Sequence, residues 1–179
     1  MKILHITNNF PTPNFPIFGI FIKEQIESLN NLGVSNEVFF INSRDEGKVA
    51  YLRSLWRLRR LLKQKRYDII HCHHSFSGVV FMLSGKWYKT RRLLSYQSDP
   101  RNEGGMILFR VLYLFFNRII LKNKPRKEGW SKIVHLPNGV NTSFFVPMDK
   151  NQCKEKLGLK KSKRYILFMD SNNRRPCKR

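Results

Sequence analysis

Residues 2–41, KILHITNNFPTPNFPIFGIFIKEQIESLNNLGVSNEVFFI, decide the fold. Lys2 to Thr7 is a short apolar run that breaks off in a patch of turn formers, Asn8-Asn9-Phe10-Pro11-Thr12-Pro13-Asn14. That pattern describes a buried strand leaving its sheet through a loop. Past Gly19, the residues Ile22, Ile26, Leu29 and Leu32 recur at the spacing of one helix face, and Gly33 supplies a stop. Val38 to Ile41 is a second apolar run. Strand, loop, helix and strand in this order imply parallel strands joined by a right-handed crossover.

The alternation continues downstream. Tyr51 to Tyr67 is a basic amphipathic helix, with Leu52, Leu55, Trp56, Leu58 and Leu62 set against Arg53, Arg57, Arg60 and Lys63. Asp68 to His73 reads as a third strand, Ser75 to Leu83 as the start of a helix, and Leu93 to Tyr96 as a fourth strand running into polar Gln97-Ser98-Asp99-Pro100. Met106 to Leu121 is strongly apolar but carries Arg110, Asn117 and Arg118. It falls short of the roughly 20 uncharged residues of a spanning helix and is expected to be a core or interfacial helix. A charged loop, Lys122 to Trp130, leads to a last strand, Ile133 to Leu136, which Pro137-Asn138-Gly139 ends. Cys153 to Leu157 reads as a short helix and Tyr165 to Met169 as one more strand. The expected fold is α/β: a Rossmann-like parallel sheet with helices on both faces.

A chain of 179 residues with 41% hydrophobic and 13% aromatic content can bury a real core, which excludes general disorder. The net charge of +22 predicts attraction to polyanions without choosing among nucleic acid, anionic lipid and phosphorylated substrate. No RNP-like motif or zinc knuckle accompanies the charge, so nucleic acid is not an expected partner. Cys72, Cys153 and Cys177 are scattered, which argues against a disulfide framework or a zinc site and suits a reducing cytoplasm. The start, Met1-Lys2-Ile3-Leu4-His5-Ile6, lacks the long apolar core of a signal peptide. His71 and His73 share one strand face, with Cys72 and His74 on the other, so no metal is expected.

Ile133-Val-His-Leu-Pro-Asn-Gly-Val-Asn-Thr-Ser-Phe-Phe145 resembles the "IPNGVD…F" hinge of family 4-type glycosyltransferases of GT-B fold, with Asn141 in place of the usual Asp. Asp68-Ile-Ile-His-Cys-His73 resembles the family's "DIVHAH" strand, and Arg92 to Asp99 its strand ending "T-x-H-G/D". The resemblance implies that residues 1–140 form a Rossmann-like acceptor-side domain. Residues 141–179 would then be a linker and the first strand of an incomplete donor-binding domain. It implies sugar transfer from a nucleotide-sugar donor to a glycan or lipid-linked acceptor, with retention and in cell-surface polysaccharide or glycolipid synthesis. No cofactor beyond the nucleotide sugar as co-substrate is implied. The 179 residues alone are expected to be inactive, their donor-binding domain being missing.

On this resemblance His73, Gln97 and Asp99 line the acceptor cleft. Gln97 stands where many relatives have a His, and it cannot act as an acid or base near pH 7. The donor phosphate itself serves as base in this family, and no catalytic residue is assigned. Asp99 fits an acceptor hydroxyl and equally a turn before Pro100. Gly19 and Lys178 are the candidates for donor phosphate binding, although Gly19 equally fits a plain loop glycine. Pro137, Asn138 and Gly139 form the hinge. Arg53, Trp56, Arg57, Arg60 and Lys63 are expected to face an anionic membrane, placing the protein on the inner face of the plasma membrane. A non-enzymatic basic module that binds membrane or acceptor is the alternative, and a nucleic-acid binder is a third, less favoured one.

Overall fold

The computed structural model describes residues 1–85, 90–124 and 130–166. Six parallel strands form one sheet: β1 (Lys2–Thr7), β2 (Ser35–Phe40), β3 (Ile69–His73), β4 (Arg91–Tyr96), β5 (Arg118–Leu121) and β6 (Ile133–His135), in the order β2-β1-β3-β4-β5-β6. The helices are α1 (Ile20–Asn31), the short α2 (Ser43–Glu46), α3 (Val49–Gln64), α4 (Ser75–Leu83), α5 (Gly105–Phe115) and α6 (Lys150–Lys156). The chain steps outward from β1 to β2 and then back across β1 to β3. With right-handed crossovers that reversal puts α1 on one face and α3, α4 and α5 on the other.

Strand alternation separates two unlike faces. Leu4, Ile6, Ile70, Cys72, Leu94 and Tyr96 pack with Ala50 and Leu58 of α3, Val80 and Phe81 of α4, and Phe109 and Leu112 of α5. Cys72 therefore points away from its neighbouring histidines, as the period of two requires. The opposite phase is polar: His5, Thr7, His71, His73 and Ser95 are all buried. Gly78 of α4 explains how that helix sits so close to the sheet. A Cβ there would lie 3.3 Å from both Leu94 and Phe116.

Residues 106–121 correct the sequence reading. The apolar run is not one helix: α5 ends at Phe115, Phe116 turns extended (φ −83°, ψ 149°), and Arg118–Leu121 is strand β5. Asn117 makes the break. Its N–H donates to the Arg92 carbonyl and its Oδ1 accepts from the Arg92 N–H, both at 2.9 Å, so it docks the chain beside β4. Ile119, Ile120 and Leu121 are then buried as strand residues. An unbroken apolar run has no period by which to distinguish buried helix from buried strand. β2 also begins three residues before the expected Val38, at Ser35.

The chain divides into two compact units, Met1–Gly139 and Val140–Arg179. In the second unit α6 is capped by Asp149, whose Oδ1 accepts from the N–H groups of Asn151 (3.0 Å) and Gln152 (2.9 Å). Tyr165 and Ile166 are irregular, and the remainder of the expected strand, Leu167 to Met169, lies outside the described residues.

Candidate functional site

In a parallel sheet of this kind ligands bind beyond the carboxyl ends of the strands, where the winding reverses. Here that point lies between β1 and β3, with the end of β4 alongside. Asn8, His74 and Gln97 follow the three strands at this edge.

His74 is the strained residue of the site. Its φ of +89° is the one positive value for a non-glycine residue among the described residues. Such a backbone costs about 1–3 kcal/mol and persists where neighbours over-determine it. Those neighbours are visible: the His74 N–H donates to the Ser95 carbonyl at 2.8 Å, and its own carbonyl accepts from the Gly78 N–H and the Ser77 hydroxyl as α4 begins. The ring turns its Nε2 to within 3.7 Å of Glu103 Oε2. Burial lowers the His74 pKa and the Glu103 charge opposes that shift.

Glu103 is only 3% exposed. Its Oε1 accepts from the N–H groups of Gln97 and Ser98, each at 2.6 Å, and from the Ser98 hydroxyl at 3.2 Å. One carboxylate oxygen thus ties down the loop after β4 through charge-assisted bonds. The other oxygen, Oε2, has no hydrogen-bond partner among the described residues, and the same holds for Ser75 Oγ, Tyr96 OH, Gln97 Oε1 and Asn8 Oδ1. Buried polar atoms are nearly always satisfied. Five exceptions gather along the carboxyl edges of β1, β3 and β4.

The residues predicted from sequence fall in several places. Gln97 and Asp99 lie at this edge, Gln97 held by Glu103 and Asp99 accepting from the Arg101 N–H at 2.9 Å. His73 sits inside the sheet, buried beside His5 and His71. Gly19 precedes α1 with φ +72°, and a Cβ there would collide with the Asn9 carbonyl group and come 2.8 Å from the Phe10 nitrogen. Glycine is therefore required by the close approach of two loop segments, while Lys23 pairs with Glu27 at 3.6 Å. Pro137, Asn138 and Gly139 are exposed and irregular after β6. Lys178 lies outside the described residues.

On α3 the buried residues are Ala50, Ser54 and Leu58. Leu52 (68% exposed) and Trp56 (70% exposed) are directed to solvent with the basic residues. Two of those bases are engaged: Arg53 pairs with Glu46 at 3.6 Å, and Arg57 lies over the Phe39 ring.

The structure also joins His5 to the two strand histidines. His5 is in register with His71, and its Nδ1 lies 3.0 Å from His73 Nε2. The protons along this chain can be placed. Asn36 Nδ2 donates to Asn30 Oδ1 and the Val34 carbonyl, so Asn36 Oδ1 is the acceptor 2.9 Å from His5 Nε2. His5 then carries its proton on Nε2, His73 donates from its own Nε2, and His73 Nδ1 is left as a buried lone pair without a partner among the described residues. His71 Nε2 meets Ser95 Oγ at 2.7 Å. Burial holds the pKa of His71 and His73 well below the ordinary value, reinforced by the neighbouring histidines and Lys122. Neutral imidazoles are the metal-binding form, and one nitrogen from each ring lies within 4.8 Å of the others. These three side chains are the group among the described residues that has the chemistry to hold a metal ion, although their hydrogen bonds already account for most of their polar atoms.

Sequence reasoning missed His5, His74 and Glu103. His74 was set aside by strand alternation, which ends one residue before it. Glu103 carried one usable signal, an acid placed between the Asp99-Pro100 turn and the Gly104-Gly105 pair that opens α5.

A family model described as a glycosyl transferase 4-like domain matches residues 26–123, which include His74, Gln97, Asp99 and Glu103. The UDP-Gal:alpha-D-GlcNAc-diphosphoundecaprenol alpha-1,3-galactosyltransferase of Escherichia coli is 28% identical over 174 residues, an alignment covering 85% of this chain. This chain spans 44% of that relative's length.

Proposed function

This chain belongs to the glycosyl transferase 4-like family, and on that premise we propose that its sheet is the acceptor-side half of an enzyme that moves a sugar from a nucleotide-sugar donor to a lipid-linked saccharide. The observation that carries the proposal is the set of buried polar atoms without a hydrogen bond among the described residues, beside strained His74 at the switch point of the sheet. Glu103 Oε2 and Gln97 Oε1 are acceptors awaiting donors, whereas Ser75 and Tyr96 offer hydroxyls. Sugar hydroxyls and an acetamido N–H supply both kinds of partner. The relative's printed name supports an amino-sugar on a lipid diphosphate as the acceptor class.

In this reading transfer proceeds with retention and serves cell-surface polysaccharide or glycolipid synthesis. The donor is held mainly by groups outside the sheet. The test is binding: the isotope-labelled chain titrated with N-acetylglucosamine diphosphate carrying a short lipid. Amide shifts are expected at His74, Gln97, Ser98 and Asp99. Unmoved resonances at His74 and Gln97, or the same His74 and Gln97 shifts from a lipid diphosphate without sugar, would overturn the acceptor assignment.

The exposed Leu52 and Trp56 among Arg53, Arg57, Arg60 and Lys63 favour peripheral docking on the anionic inner leaflet. No helix among the described residues is long and apolar enough to cross a membrane. Docking also serves the alternative, a basic module that binds membrane or acceptor without catalysis. Flotation with vesicles of graded anionic content tests it, and binding indifferent to both charge and salt would dismiss it.

A further inference from the structure

Helix α5 divides its side chains between two surroundings. Met106, Phe109 and Arg110, at i, i+3 and i+4, line a cavity of about 520 Å³ beside the carboxyl ends of β4 and β5. Ile107 (83% exposed) and Leu114 (78% exposed) face solvent. The cavity floor is apolar and stiff. Phe109 is buried and meets Trp130 edge to face at 5.4 Å, and Trp130 is itself pinned against Tyr113 at 4.7 Å. Around the mouth stand three exposed cations, Arg101, Arg110 and Lys124, facing a single carboxylate, Asp99. No ion pair engages any of the three among the described residues.

A cationic mouth over an aromatic floor selects an anion with an apolar body. Inorganic diphosphate would use the mouth alone. A nucleoside diphosphate would set the hydrogen-bonding edges of its base against apolar side chains, losing hydration without replacement. A prenyl diphosphate satisfies both zones: phosphates on the guanidiniums and the ammonium, isoprenoid on Phe109 and Trp130. Ser98 and Asp99 line this cavity, and the Ser98 N–H is bound by Glu103, so the cavity adjoins the polar edge described above.

We propose that this cavity seats the diphosphate and first isoprenoid units of the lipid-linked acceptor, directing its sugar across Ser98 and Asp99 to the His74 edge. The proposal rests on the acceptor-side reading of the preceding subsection.

Farnesyl diphosphate is the probe, added to the 179-residue chain and followed by calorimetry and by the Trp130 indole resonance. It should bind at least tenfold more tightly than inorganic diphosphate, UDP or farnesol. R101Q/R110Q/K124Q alters only exposed side chains, so the fold, checked by circular dichroism, should be kept while affinity falls at least tenfold. Equal binding of UDP or inorganic diphosphate, an unmoved Trp130 indole, or undiminished binding by the folded triple variant would each overturn the proposal. So would competition by phosphatidylglycerol vesicles as strong as that of farnesyl diphosphate, since the site would then read lipid headgroups. The two readings fail separately. If the sugar-bearing lipid shifts His74 and Gln97 while farnesyl diphosphate leaves Trp130 unmoved, only the cavity assignment falls. If farnesyl diphosphate binds but the sugar moves nothing at His74, the acceptor reading falls and the cavity stands only as a prenyl diphosphate site.

Discussion

Lowering the pH from 7 to 5 should destabilise the folded chain steeply through His71 and His73. Both are fully buried, and burial depresses their pKa well below 6.5, which favours the neutral form in the native state as the pH falls. In the unfolded chain each recovers its ordinary pKa and takes up a proton below about pH 6.5. The unfolded state then binds more protons than the native one, and stability rises with pH. The contribution is complete above the unfolded pKa and is lost as pH falls below it. For a histidine that remains neutral when folded, the loss between pH 7 and 5 is about 2 kcal/mol, hence about 4 kcal/mol for the pair. Against a domain stability of about 5–15 kcal/mol that is a large fraction. Urea denaturation followed by circular dichroism reads it as a fall of about 2 M in midpoint, taking a slope near 2 kcal/mol/M. Carboxylates also contribute, so the informative comparison is with H71Q and H73Q, whose amides do not titrate. Each variant should lose about 2 kcal/mol of this pH dependence, whatever it costs at pH 7. Variants whose stability falls between pH 7 and 5 as much as the parent's, within about 0.5 kcal/mol, would refute the neutral-histidine account.

Gly19→Ala should cost at least about 3 kcal/mol. The left-handed backbone alone accounts for about 1–2 kcal/mol, and the new Cβ strikes main chain that has no rotamer to yield. A midpoint shift worth under 1 kcal/mol would show that the Asn9–Gly19 approach is loose. E103Q should lower the His74 pKa further, because the Glu103 charge is what opposes its burial; NMR titration of the imidazole would expose an error if the midpoint stayed or rose. The same variant should lose about 1–3 kcal/mol of stability as the two loop N–H groups exchange a charged acceptor for a neutral one. On vesicles, R60Q/K63Q should weaken binding by about 2 kcal/mol, roughly 30-fold. R53Q should matter less, since Arg53 already pairs with Glu46. Flotation unchanged in R60Q/K63Q would remove α3 from the docking surface.

Most of the fold was legible because most of its elements advertise a period or a break. β1, β3, α1 and α4 follow apolar runs bounded by glycine, proline or polar residues, and their observed limits lie within a residue or two of the reading. The carboxyl-edge position of Gln97 and Asp99 was legible for the same reason, since both follow a recognisable strand. Where the apolar pattern had no phase, between Met106 and Leu121, strand and helix looked alike. Only the docking of Asn117 on Arg92 separated them. The site was less legible than the fold because its polar partners come from different elements. His74 meets Glu103 across two strand ends, and His5 meets His73 from 68 residues away.

The sequence by itself determined the alternation of strands and helices, their parallel direction, the opposed phases of Cys72 and the paired histidines, and the family to which the sheet belongs. These are local or nearest-neighbour properties, set by sterics and by which side chains leave water. Tertiary structure alone decided which histidine reaches the edge and which is buried neutral, which acid holds the loop after β4, and which face of α5 turns inward to Trp130. Each depends on strand register and packing between segments far apart in the chain, and side-chain periodicity carries no record of either.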